Sequence, residues 1–137
     1  MMKPYHPKSL EIGIGGYLGH SYGLKWEDGH LVYRVYESGE QQAVLHLYPS
    51  KRSWEAFWKQ MDAVGVWEWQ DHYEPDYPTK DGTSWSVKLM VGDRFVESGG
   101  NNAYPVDGHC AGTDEMTPCF RKFLSAVRRL MGYVPFA

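Results

Sequence analysis

The chain has 137 residues, of which 42% are hydrophobic, 23% charged and 15% aromatic, with a formal net charge of -3. This length is enough for one domain, read here as residues 1–137, to bury a core without disulfide or metal staples, and the composition excludes a disordered, collagen-like or strongly basic chain. No apolar run approaches the roughly eighteen residues of a membrane span, MMKPYHPKSL has no apolar leader core, and only Cys110 and Cys119 carry thiols, so a cytoplasmic protein is expected, with no membrane and no nucleic acid among its partners.

The first element is the glycine-rich stretch EIGIGGYLGHSYG. A phosphate cradle needs a strand, a glycine loop and then a helix whose N–H groups face the anion. Here the glycines run on into β-like sequence, so a glycine-rich first strand or turn is expected and nucleotide binding is not. In GLKWEDGHLVYRVYE the Asp28-Gly29 pair separates two β-like runs, which predicts a two-residue hairpin. Its register would pair Glu27 with His30, Trp26 with Leu31, Lys25 with Val32 and Leu24 with Tyr33, and would set Leu24, Trp26, Leu31, Tyr33 and Val35 on one face.

After ESGEQQ, the run AVLHLYP predicts a strand with Ala43, Leu45 and Leu47 on one side and Val44, His46 and Tyr48 on the other. Ser50 or Ser53 can cap a helix that places Trp54, Phe57, Trp58, Met61 and Val64 on one stripe, with Gly65 as its stop. VWEWQDHY alternates and predicts a short strand with Trp67 and Trp69 on one face. A second hairpin is expected around Gly92-Asp93, aligning Leu89 with Val96 and Met90 with Phe95, with one face covered and a loop touching the other. The irregular SGGNNAYPVDGHCAGTDEM precedes a closing helix from about Pro118 to Met131 with Phe120, Phe123, Leu124, Val127, Leu130 and Met131 inward.

The fold class expected is therefore α+β: an antiparallel sheet of about five to six strands with two amphipathic helices on one face. Each half contains a hairpin, a Tyr-Pro segment and a helix ended by Gly, the pattern of a degenerate ββα duplication.

The segments PSKRSWEAFWKQMDAVGVWEW, DGTSWSV and SGGNNAYP with the closing helix resemble a group of small uncharacterised bacterial proteins with a WxxFW…WxW…DGxxWSV…GxNAYP pattern. The resemblance covers roughly the last two thirds of the chain and implies no particular activity. GHCAGTDEMTPC is longer than the pattern and reads as an insertion.

No cofactor or metal is expected. His109, Cys110 and Cys119 lack the paired spacing that preorganises a structural zinc site. Ser86, Ser98, Cys110 and Cys119 are nucleophile types without a GxSxG elbow, and Asp71, Glu74, Asp76 and Asp81 read better as an acidic loop than as a glycosidase pair. From Trp67 to Gly82 five acids face one lysine among aromatics, which suggests a protein interface at Trp69, Tyr73, Glu74, Asp76 and Tyr77. The closing helix carries Arg121, Lys122, Arg128 and Arg129 on one stripe and no acid, a solvated face favoured by the helix dipole.

The function expected is a non-enzymatic protein-binding module of adaptor, inhibitor or immunity type. The alternative is a small-ligand-binding protein or hydrolase-type enzyme with a pocket at Asn101, Asn102, His109 and Cys110. In the SGGNN turn, glycine and asparagine suit left-handed backbone, with Tyr104 as an anchor.

Overall fold

The computed structural model describes residues 4–16, 20–74, 83–105 and 116–136. Six antiparallel strands form one sheet: β1 (Ser9–Gly16), β2 (His20–Glu27), β3 (His30–Glu37), β4 (Glu40–Leu47), β5 (Thr83–Val91) and β6 (Arg94–Asn101), in the order β4-β3-β2-β1-β5-β6. Helices α1 (Lys51–Val64) and α2 (Pro118–Leu130) complete the α+β architecture.

The glycine-rich opening is strand, as its context requires: Gly13, Gly15 and Gly16 lie in β1, and β2 follows where a phosphate loop would need a helix. Asp28 and Gly29 take φ of 51° and 80°, the left-handed pair of a tight hairpin, and the β2–β3 ladder has the register its turn dictates, from Glu27↔His30 to Leu24↔Tyr33. A second such turn at Ser38-Gly39 starts β4 at Glu40, three residues before Ala43, and Gln42 is the extra residue of a bulge.

Register assigns the faces. Leu10, Ile12 and Ile14 of β1 stand across from Leu89, Val87 and Trp85 of β5, and Ile12 and Ile14 stand across from Leu24 and Tyr22 of β2. These side chains share one core with Trp54, Phe57 and Met61 of α1 and Phe120, Phe123 and Val127 of α2. Trp26 meets Trp54 at 5.6 Å and Trp85 meets Phe120 at 4.8 Å, so both helices lie on the same side of the sheet. Each helix starts on a side-chain cap: Ser50 Oγ accepts from the Ser53 N–H, and Thr117 Oγ1 accepts from the Phe120 N–H.

Cys119, in the first turn of α2, donates its thiol to the Val64 carbonyl at the end of α1 at 3.4 Å, and the helices run antiparallel from that contact. The other sheet face carries Glu11, Lys25, Lys88 and Glu97 in one register row, an alternation of charge suited to water. Phe95 and Met90 pair on this open side as their register predicts, and Phe95 is 48% exposed.

The segment 66–73 departs from the expected strand. Gly65, at φ 70°, stops α1, and Val66–Glu68 forms a 3-10 turn instead. The two tryptophans then separate: Trp67 stacks on Trp58 at 6.2 Å, while Trp69 packs edge-on to Trp85 at 5.8 Å and Phe123 at 5.2 Å. Only Tyr73 joins the sheet, through a parallel bridge to Gly100. The two halves differ in the same way at their Tyr-Pro segments, since β4 is a sheet strand and residues 102–105 are not.

Candidate functional site

The residues expected to form an acidic, aromatic interface divide between interior and surface. Tyr73 is 4% exposed, lies 5.9 Å from Trp85, and its hydroxyl accepts from the Gln70 N–H at 3.0 Å. Trp69 is half-buried against Trp85, Phe120 and Phe123. Tyr73 belongs to the core and Trp69 packs against it, because the turn after α1 points both rings under the sheet end. Glu74 is exposed and pairs with His72 Nε2 at 2.9 Å, whereas Asp76 and Tyr77 lie outside the described residues.

The alternative pocket residues are tied into structure where they are described. Asn101 Oδ1 accepts from Ser84 Oγ at 2.6 Å, and the Asn102 N–H donates to the Thr83 carbonyl at 2.7 Å. Asn102 takes the left-handed φ of 51° its residue type favours, but Gly99 and Gly100 do not; Gly100 is needed because Trp85 Nε1 and the Ala103 oxygen come too close for a side chain. Tyr104 is buried against Phe120 at 4.9 Å, an anchor for this turn. His109 and Cys110 lie outside the described residues.

Of the nucleophile types, Ser98 and Cys119 are likewise committed. Ser98 is buried and donates to the Gln70 carbonyl at 2.5 Å. Ser86 faces water between Gly13 and Gly99, neither of which can serve it as a base. Cys119 is buried in the helix contact described above. Among the described residues no group of three or more His, Cys, Asp or Glu is gathered for a metal ion, and no helix is long and apolar enough to cross a membrane.

Two surfaces stand out instead. The first is the sheet edge at β4. The opposite edge is sheltered, because the Tyr73 N–H donates to Gly99 O at 2.8 Å, Gly99 N–H to Asp71 O at 3.1 Å and Asn101 N–H to Tyr73 O at 3.1 Å. Among the described residues no strand follows β4 in the sheet. Between Gln41 and Leu47 the strand has no Lys, Arg, Asp, Glu or Pro, the residues that usually blunt an edge. Two of its core-side residues are uncovered: Ala43 is exposed and Leu45 is 42% exposed, while Tyr33, across from Leu45, is buried under the C-terminal tail. On the other face, His30 Nε2 and His46 Nδ1 form a hydrogen bond at 2.8 Å and Tyr48 stacks on His30 at 5.0 Å.

The second is a groove between the antiparallel helices, with a cavity of about 140 Å³ lined in part by Ala56, Phe57, Ala126 and Leu130 and flanked by Arg52 and Arg129. Neither surface was marked by a motif. A signal for the groove does exist in the sequence, since Arg52, Ala56 and Gln60 recur every fourth residue on one helical stripe. The edge has no such signal, because strand order is set by distant pairing.

Compared with known proteins, the sequence matches no family model and no curated protein.

Proposed function

We propose that this chain is a non-enzymatic protein-binding module, an adaptor or inhibitor, that takes an extended segment of a partner protein alongside β4. The observation that carries this reading is a terminal strand that is free of Lys, Arg, Asp and Glu from Gln41 to Leu47 and whose core-side residues Ala43 and Leu45 are left bare. An added strand would satisfy the outward backbone groups of β4 and cover Leu45, so main-chain hydrogen bonds supply affinity and alternate side chains supply selectivity. A cytoplasmic setting fits the thiol content. The small-ligand or hydrolase reading has less support, because the Ser98 hydroxyl is buried on the Gln70 carbonyl and Asn101 Oδ1 is held by Ser84.

The test compares partners captured from the native host by the wild-type chain and by Ala43→Lys/Leu45→Lys. Both positions are exposed, so the variant should retain its fold by circular dichroism. Loss of the captured partner, with protection of β4 amides in the wild-type complex, supports strand addition. Unchanged capture, or protection only elsewhere, rejects it. Light scattering on the free protein separates a second copy from a different partner.

A further inference from the structure

The geometry points to the groove between α1 and α2 as a recognition site, distinct from the β4 edge, that seats one leucine or phenylalanine side chain of an acidic peptide segment.

Cavity size argues first. A space of about 140 Å³ is comparable to a cavity that accepts a benzene-sized group, whereas pockets that bury a metabolite are about 300–1,000 Å³. A single side chain fills the groove, and most cofactors exceed it. Its floor is apolar, from Phe57 and Leu130, and small residues, Ala56 and Ala126, open the space between the two helix backbones. Ala56 lies at the solvent side, so the space is reached from water.

Charge argues second. Antiparallel packing brings the N-terminal turn of α1, with Lys51 and Arg52, to the same end as the last turn of α2, with Arg128 and Arg129. Arg128 donates to the Phe136 carbonyl at 3.2 Å and is turned toward the tail. Arg52 and Arg129 remain exposed at the groove, and no ion pair involves either among the described residues. Lys122 falls on the same side of α2 as Arg129, two turns away. Among the described residues no acid is paired with this flank: α2 has none, Asp62 of α1 is bound to Arg94, and Glu55, one turn from Arg52 on α1, makes no ion pair.

Lys51 and Arg52 also sit at the positive end of the α1 dipole, where acids are favoured and none is present in the first turn. An anionic segment therefore relieves a local charge conflict as well as pairing with the arginines. A carboxylate on either side of the seated residue meets Arg52 and Arg129, and the apolar side chain fixes where the peptide stops.

The test uses two acetylated peptides, Asp-Glu-Asp-Phe-Asp-Glu-Asp and its leucine counterpart, titrated into the full chain by fluorescence anisotropy or NMR. Binding with a dissociation constant near about 100 µM is expected for one anchor and a few exposed charges. Replacing the central residue by alanine, changing Arg52→Glu/Arg129→Glu, or plugging the groove with Ala56→Leu should each weaken binding about tenfold or more. Leu45→Lys should leave it unchanged, which separates this site from the strand edge. Absence of binding up to about 1 mM, or binding that survives either the arginine reversals or removal of the central side chain, overturns the proposal. Shifts in NMR resonances confined to residues away from α1 and α2 overturn it equally.

Discussion

Gly100 stands directly across from Trp85 in the β5–β6 ladder, and the room for its absent side chain is taken by a hydrogen bond from Trp85 Nε1 to the Ala103 carbonyl at 2.8 Å. A Cβ on Gly100 would stand 2.6 Å from both Trp85 Nε1 and the Ala103 oxygen. The strand must therefore be bare at this position for the indole to reach its acceptor.

Gly100→Ala should accordingly destabilise the fold by about 2–3 kcal/mol, through overpacking and a weakened buried hydrogen bond. Chemical denaturation monitored by tryptophan fluorescence checks this. A cost near zero would mean that the indole and the 102–105 turn shift freely.

Tyr33 gives a pH-dependent prediction. Burial, reinforced by nearby Tyr22, raises its phenol above the ordinary tyrosine value, and its hydroxyl donates to the Pro135 carbonyl at 2.5 Å. Because the folded state holds the proton more tightly, this contribution is full below the unfolded value, about 10, and is lost as pH rises through the folded one. Tyr33→Phe should cost about 1 kcal/mol near neutral pH from the lost hydrogen bond, and its stability should fall less than that of the wild type in alkali. Paired denaturation curves across alkaline pH measure the difference.

Glu27 behaves with the opposite sign. The hydrogen bond from Arg34 at 2.9 Å holds its carboxyl below the usual glutamate value. Its contribution is present above the unfolded value and disappears as pH falls through the folded one. Glu27→Gln should therefore differ from wild type slightly at neutral pH, and the difference should shrink as the pH falls below the ordinary glutamate value, as followed by thermal unfolding at a series of acid pH values.

The tail after α2 is part of the core. Phe136 is fully buried, 5.9 Å from Tyr22 and 6.5 Å from Tyr33. Phe136→Ala should cost about 3 kcal/mol, and amide exchange should speed up first in β2 and β3. A loss below about 0.5 kcal/mol would show that the tail closes over the gap.

Legibility in the sequence followed the range of the interactions. The β2–β3 register was readable because Asp28-Gly29 and the alternation of Leu24, Trp26, Leu31 and Tyr33 are local and agree. The helices were readable from their stripes and stops. Pairing of Ser9–Gly16 with Thr83–Met90 was not, since nothing near either segment specifies a partner so far along the chain. Trp67 and Trp69 misled for a related reason: alternation implies a shared face only in a strand, and Gly65 turns the chain so that their neighbours are Trp58 and Trp85 instead. The candidate surfaces depend on which strand ends the sheet and how two helices lie side by side, which are properties of the assembled layers.

The middle position of β1 also has a cost in time. Its first partner, β2, leaves the ribosome immediately after it, but β5 follows some seventy residues later. At roughly 5–20 residues per second the second flank of β1 waits for about 4–14 seconds during synthesis. Leu10, Ile12 and Ile14 remain without their final neighbours throughout that interval. A nascent chain paused before Thr83 is thus the form of this protein most in need of a chaperone, and slow refolding of the full chain is the counterpart expected in vitro.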